Sequence, residues 1–116
     1  MQKGIGIDII EIDRVKSAVK QLKDKFLNKI FTKRELSYCT RKRSFRFPEL
    51  AARFAAKEAY AKAMGTGLRG IKWRQIEILN NGEGKPMLYI KGKKNNNALV
   101  SLSHSLNYAT AVVLVN

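Results

Sequence analysis

The run from Glu49 to Met64 constrains the fold most, because it holds seven alanines and no β-branched residue. Alanine loses no side-chain entropy on entering a helix, and Pro48 already has the φ that a first helical position needs. The segment therefore reads as the longest helix of the chain, and Gly65 suits the left-handed residue that ends it. Alanines on two sides let neighbouring elements come close, so this helix is expected at the centre of the fold.

Residues 3 to 11 alternate, with Ile5, Ile7 and Ile9 on one side and Gly4, Gly6 and Asp8 on the other, the pattern of a strand with one apolar face. Glycine weakens a strand and is tolerated where a ligand or another backbone comes close, and Asp8 is expected beside open space. From Ile12 the period becomes helical: Val15, Val19, Leu22 and Phe26 share one stripe, and Lys16, Lys20 and Lys23 another. A break is expected around Lys23 to Lys25. Thr32 and Glu35 have capping-box spacing for a helix over about Lys33 to Arg41, and Arg41 to Arg46 reads as an exposed basic loop.

Past Gly70 the signals turn to strand: Ile76 to Leu79, Met87 to Lys91, Leu99 to Ser103 and Ala109 to Val115. Asn80 to Lys85 is expected to be a turn and Lys93 to Asn97 a polar loop. The class is α+β, with a small antiparallel sheet packed against a long central helix and shorter N-terminal helices.

A chain of 116 residues fits one domain spanning 1–116, with a core small enough that a subunit interface could add burial. The 23 bases and 9 acids give a net charge of +14, which implies an anionic partner: nucleic acid, anionic membrane, acidic protein or phosphorylated ligand. Twelve bases and two acids lie between Arg14 and Arg46, so that window alone holds +10 and reads as a docking surface. No apolar run approaches a bilayer span and no signal peptide is evident, so a cytoplasmic location is expected. The single cysteine, Cys39, forms no internal disulfide and is read as inert filler.

Three groups of residues could carry chemistry. Glu58 and Lys62 lie four apart on the long helix, in a row with Phe54, and their bland reading is a surface ion pair. If Asp8 meets Glu58, two carboxylates with open space between them suit Mg²⁺, and Lys62 one turn on would neutralise phosphate. Glu11 and Asp13 are better explained by pairing and helix capping. The only histidine, His104, stands between Ser103 and Ser105 at a strand end, a plausible phosphate corner, although a lone histidine is more often structural. No phosphate-loop or dinucleotide fingerprint occurs, and Asn81-Gly82-Glu83-Gly84-Lys85-Pro86 reads by default as a hairpin turn.

Taken in order, Gly4-Ile5-Gly6-Ile7-Asp8, Arg53-Phe54-Ala55-Ala56-Lys57-Glu58-Ala59 with Lys62, Gly65-Thr66-Gly67, Gly84-Lys85-Pro86 and Ser101-Leu102-Ser103-His104 resemble the holo-[acyl-carrier-protein] synthases. These are the short bacterial 4′-phosphopantetheinyl transferases, and the resemblance runs from residue 4 to about 113. It implies that fold, and transfer of 4′-phosphopantetheine from coenzyme A to a serine of an apo acyl carrier protein in fatty acid biosynthesis. Asp8 and Glu58 would hold Mg²⁺, and Lys62 would sit on the phosphates. Gly65, Gly84, Lys85, Pro86, Ser103, His104 and Ser105 would border the coenzyme. Glu58 and a metal-bound water both remain open as the proton acceptor. Arg14 matches a basic position on the carrier-docking helix of the family, while Lys23, Lys25 and Lys29 are added from charge and spacing. The resemblance also implies a homotrimer with sites between subunits. The competing readings are a nucleic-acid-binding module and a Mg²⁺-dependent nuclease. The first leaves the strand glycines and the Asp8, Glu58, Lys62 set unexplained, and the basic segment has few aromatics for base stacking.

Overall fold

A computed structural model describes residues 3–116. Strand β1 (Gly4–Glu11) leads directly into α1 (Ile12–Leu22), which is followed by α2 (Asp24–Ile30) and α3 (Lys33–Tyr38). A short hairpin, β2 (Thr40–Arg41) and β3 (Ser44–Phe45), precedes the long helix α4 (Phe47–Met64). After a 3₁₀ turn at Trp73–Gln75 come β4 (Ile76–Asn80), β5 (Pro86–Ile90), β6 (Lys93–Lys94), β7 (Ala98–His104) and β8 (Tyr108–Val115).

All strand pairs are antiparallel, but the C-terminal strands do not form one meander. They divide into a β4-β5-β6 sheet and a β1-β8-β7 sheet, in which the first strand pairs with the last, Asp8 opposite Ala111. Helix α4 packs against both β1 and β8. Ten of its residues are buried, among them every alanine of the helix except Ala63.

The glycine face of β1 is the inner one. A Cβ on Gly6 would stand 1.9 Å from the carbonyl oxygen of Ala59, and one on Gly4 2.0 Å from that of Ala63. Of the ligand or backbone expected to come close to these glycines, it is the α4 backbone that does so, an approach that only a residue without a side chain permits. The isoleucine face points outward instead: Ile5, Ile7 and Ile9 are 67%, 64% and 65% exposed. Alternation shows that the two faces of a strand differ, and close helix packing decided which one went in.

Other expectations shift locally. Leu22 is exposed at the end of α1, where Lys23 takes φ +49 and separates α1 from α2. The Thr32–Glu35 capping box forms, but α3 stops at Tyr38. The basic loop is a hairpin whose turn residues Lys42 and Arg43 both have positive φ, and the polar Lys93 to Asn97 segment contributes the two residues of β6.

Two cations lie wholly inside. Lys57 Nζ donates to Glu35 Oε1 at 2.7 Å, to the Ile30 carbonyl at 2.8 Å and to the Trp73 carbonyl at 3.1 Å. Glu35 Oε2 in turn accepts the Ile78 N–H, so one ion pair ties α2, α3, the 3₁₀ turn and β4 to α4. Arg53 is the second buried cation and belongs to the site described next.

Candidate active site

Because β1 and α4 touch backbone to backbone, the first side chains beyond the contact meet. Lys62 Nζ lies 3.1 Å from Asp8 Oδ1 and donates to the Ile7 carbonyl at 3.0 Å. Glu58, one turn before Lys62, completes the group. Its carboxyl is held above its ordinary value by burial and then by the charge of Asp8, with Lys62 opposing. These three side chains share a cleft of about 530 Å³ with Arg14 from α1, Phe26 from α2 and Phe54 from α4. Arg14, expected on the carrier-docking helix, borders the same opening as the carboxylates.

Two carboxylates with that mutual repulsion form a hard-oxygen pair suited to a divalent cation. Among the described residues no cluster of three or more His, Cys, Asp or Glu could hold a metal. Two protein ligands are what Mg²⁺ commonly takes, leaving its other positions to water and substrate oxygens.

A second cleft, of about 630 Å³, opens on the other side of α4. Gly84, Lys85 and Pro86 form one wall and Ser101, Ser103 and His104 another, with Tyr38, Glu49, Ala52 and Asn80 between them. Gly84 has φ +84 in a turn where the Asn81 side chain accepts the N–H groups of Glu83 and Lys85. His104 Nε2 stands 3.4 Å from Glu49 Oε1. Glu49 Oε2 accepts from Arg53 Nη1 at 3.1 Å, and Arg53 Nη2 donates to Asn80 Oδ1.

Within one chain the two groups stay apart, since the clefts share no lining residue. Gly65, at φ +74, closes α4 by donating to the Lys62 carbonyl, and Ser105 donates to the Tyr108 carbonyl in the β7–β8 turn; neither lines either cleft. Lys23 and Lys25 are exposed, and Lys29 borders a separate groove with Lys72, Trp73 and Arg74. Sequence reasoning missed Tyr38, Glu49 and Asn80 as neighbours of His104. The Glu49–Arg53 spacing of four was the one legible signal, because it puts both on one side of a helix.

The β1–α4 clamp and the paired clefts define a known class. Residues 4–113 match the sequence profile of the 4′-phosphopantetheinyl transferase superfamily, and the chain belongs to that family. It is 48% identical over 116 residues to a holo-[acyl-carrier-protein] synthase of Chloroherpeton thalassium, covering 96% of this chain and 95% of that protein. Among solved structures, the Helicobacter pylori holo-[acyl-carrier-protein] synthase in complex with coenzyme A superposes with a TM-score of 0.84 at 30% identity, covering 97% and 99% of the two chains. The Bacillus anthracis enzyme in complex with coenzyme A (3′,5′-ADP) gives 0.78 at 38% identity, covering 97% and 94%.

Proposed function

We propose that this chain is an enzyme that transfers 4′-phosphopantetheine from coenzyme A to a serine hydroxyl of an apo acyl carrier protein, giving the holo carrier used in fatty acid biosynthesis. The observation that carries the reading is its near full-length identity to holo-[acyl-carrier-protein] synthases, with Asp8, Glu58 and Lys62 in one cleft. In the reaction the serine oxygen forms a bond to the β-phosphorus of coenzyme A. The pyrophosphate P–O bond breaks, and adenosine 3′,5′-bisphosphate leaves.

Asp8 and Glu58 are the residues proposed to hold Mg²⁺, which when bound neutralises pyrophosphate charge. Lys62 adds a fixed cation beside Asp8, able to turn from the carboxylate to a phosphate oxygen. Glu58, in the same cleft, is the chain's own candidate to receive the serine proton. Gly84, Lys85, Pro86, Ser103 and His104 are proposed to hold the coenzyme. Gly65, just past Lys62, and Ser105, next to His104, complete the set that the family implies. Most of the rate gain follows from positioning and charge neutralisation. Arg14, at the rim of the carboxylate cleft, and the exposed Lys23, Lys25 and Lys29 are proposed to receive the acidic carrier.

A homo-oligomer reconciles the two separate clefts. Ile5, Leu114 and Leu99 face one another in a row across β1, β8 and β7, exposed by 67%, 48% and 61%, and Ile7 and Ile9 extend the same apolar face. Contiguous apolar surface of this kind marks an interface. In the three-stranded sheet β1 and β7 are opposite edges, so Asp8 and His104 lie at opposite sides. A cyclic, head-to-tail contact through that face can set the Asp8 edge of one copy against the His104 edge of the next, and the family implies three copies. Among the described residues no helix is long and apolar enough to cross a membrane, and the two substrates point to the cytoplasm.

The test of the function is to incubate the chain with coenzyme A, Mg²⁺ and an apo carrier protein and follow free adenosine 3′,5′-bisphosphate. Release that needs the carrier supports the assignment. Release without it indicates hydrolysis, and cleavage of nucleic acid by the same preparation would indicate a nuclease.

A further inference from the structure

We propose that Glu49 is a positioning residue for the coenzyme cleft: its single carboxylate holds His104 on one wall and, through Arg53 and Asn80, the Gly84 turn on the other. The inference rests on the proposal that this cleft takes coenzyme A.

The connection can be followed atom by atom. Glu49 Oε1 lies 3.4 Å from His104 Nε2, at the end of β7. Glu49 Oε2 accepts from Arg53 Nη1 at 3.1 Å, and the Glu49 carbonyl accepts from the same nitrogen at 3.3 Å. Arg53 Nη2 donates to Asn80 Oδ1, and Asn80 Nδ2 donates to the Gly84 carbonyl at 2.7 Å. The chain from His104 therefore crosses the cleft through the side chains of Glu49, Arg53 and Asn80 to the Gly84 carbonyl; no strand ladder joins β4 or β5 to β7, and β5 meets β7 by packing.

Burial makes Glu49 the dominant member. Arg53 is fully buried, and Glu49 is the one carboxylate paired with it among the described residues. Arg53 Nε has no hydrogen-bond partner, so the guanidinium is oriented by Glu49, Asn80 and the face of Tyr38, whose ring centroid is 4.3 Å away. A buried guanidinium that loses its carboxylate seeks another anion or water, and its hold on Asn80 goes with it. The placement is also unexpected on charge grounds. A carboxylate 23% exposed in a cleft meant for a polyanion repels that ligand, and it is tolerated only where the order it imposes is worth more.

The experiment uses the full chain and coenzyme A, with calorimetric binding in the absence of carrier and steady-state kinetics in its presence. Glu49→Ala is expected to weaken coenzyme binding and raise the KM for coenzyme A by about tenfold, with the KM for carrier unchanged. Glu49→Gln, which keeps one acceptor oxygen, falls between. Asn80→Ala cuts the same link while leaving the Arg53–Glu49 pair in place, and should act in the same direction. The double variant should lose less than the sum of the two, as expected for one connected unit. Unchanged or tighter coenzyme binding by Glu49→Ala would overturn the proposal, as would a lowered melting temperature with both KM values unaltered. Strictly additive losses with Asn80→Ala would overturn it too. If the unaltered chain itself bound no coenzyme A, the assignment of the cleft would fail instead.

Discussion

Lys57 Nζ and Glu35 Oε1 stand 2.7 Å apart with both side chains fully excluded from solvent. Lys57 is next to Glu58 in sequence yet faces away from the cleft, and its pairing with Glu35 fixes α4 against α2, α3 and β4. Removing one member leaves the other charge buried alone, so Lys57→Ala should cost about 3–5 kcal/mol in urea unfolding. Replacing both together, Lys57→Met with Glu35→Leu, should recover much of that loss. A small loss from Lys57→Ala would show that water reaches Glu35.

Gly6→Ala and Gly65→Ala should separate two reasons for glycine. At Gly6 the added carbon would meet the Ala59 carbonyl oxygen at 1.9 Å, and neither backbone can turn aside. Overpacking of this kind costs about 3 kcal/mol or more, and it displaces the strand that holds Asp8. Nothing lies within 4 Å of the carbon added at Gly65, where only the left-handed φ of +74 is strained, so about 1 kcal/mol is expected. Equal melting temperatures for the two variants would contradict the close β1–α4 contact.

These glycines show how much of the structure was legible. A segment of alanines without β-branching can hardly be anything but a helix, and the alternation around Asp8 gave its strand. The same alternation leaves open which face is inner, because exposed isoleucines read like core ones until a second subunit is considered. Nor does helical spacing reveal that Arg53 and Lys57 are buried, since their partners Asn80 and Glu35 come from distant segments. Asp8, Glu58 and Lys62 were brought together as expected. The separation of His104 from them agrees with the sites between subunits that the resemblance implies, but the residues alone do not give it, because it depends on which side of α4 each sheet edge reaches.

The carboxylates should part in stability while agreeing in activity. Asp8→Asn loses the contact to Lys62, whereas Glu58→Gln relieves a half-buried, repelled charge. A carboxyl raised above its unfolded value contributes stability below its ordinary 4.5, and loses it as pH rises through the folded value. At pH 7, Glu58→Gln should therefore melt at or above the temperature of the unaltered chain, and Asp8→Asn slightly below it. Both should abolish transfer, and Lys62→Ala should cut turnover by about 10² to 10³. Near-normal turnover by either carboxylate variant at ordinary Mg²⁺ would sink the metal assignment.

Burial pushes the Cys39 thiol up from 9.0 to about 11. The folded chain keeps this proton while the unfolded chain releases it, so stability falls by about 2 kcal/mol as pH rises from 9 to 11. Burial lowers Lys57 instead, and that residue adds stability as pH rises toward its ordinary 10.5. Cys39→Ala isolates the thiol: the difference between its unfolding free energy and that of the unaltered chain should change over this window. A constant difference would mean that the thiol titrates normally when folded.

Charge reversal should distinguish the two parts of the basic surface. Lys25 is exposed on α2 and lines neither cleft, so Lys25→Glu should raise the KM for carrier several-fold at low salt, less so at high salt, and spare coenzyme A. Arg14 borders the carboxylate cleft, so Arg14→Glu should lower kcat as well. Identical profiles for the two variants would contradict this division, and tight salt-sensitive binding to nucleic acid without any effect on carrier would assign the surface elsewhere.

Mass spectrometry of an apo acyl carrier protein, after incubation with the chain, coenzyme A and Mg²⁺, tests the account most directly. One phosphopantetheine group should be added to the carrier serine. Neither Asp8→Asn nor His104→Ala should add it alone, while a mixture of the two should regain partial activity, because Asp8 and His104 lie in different clefts of one chain. An unmodified carrier with the unaltered chain would contradict the function. A fully active monomer in light scattering, or no recovery in the mixture, would contradict the shared site.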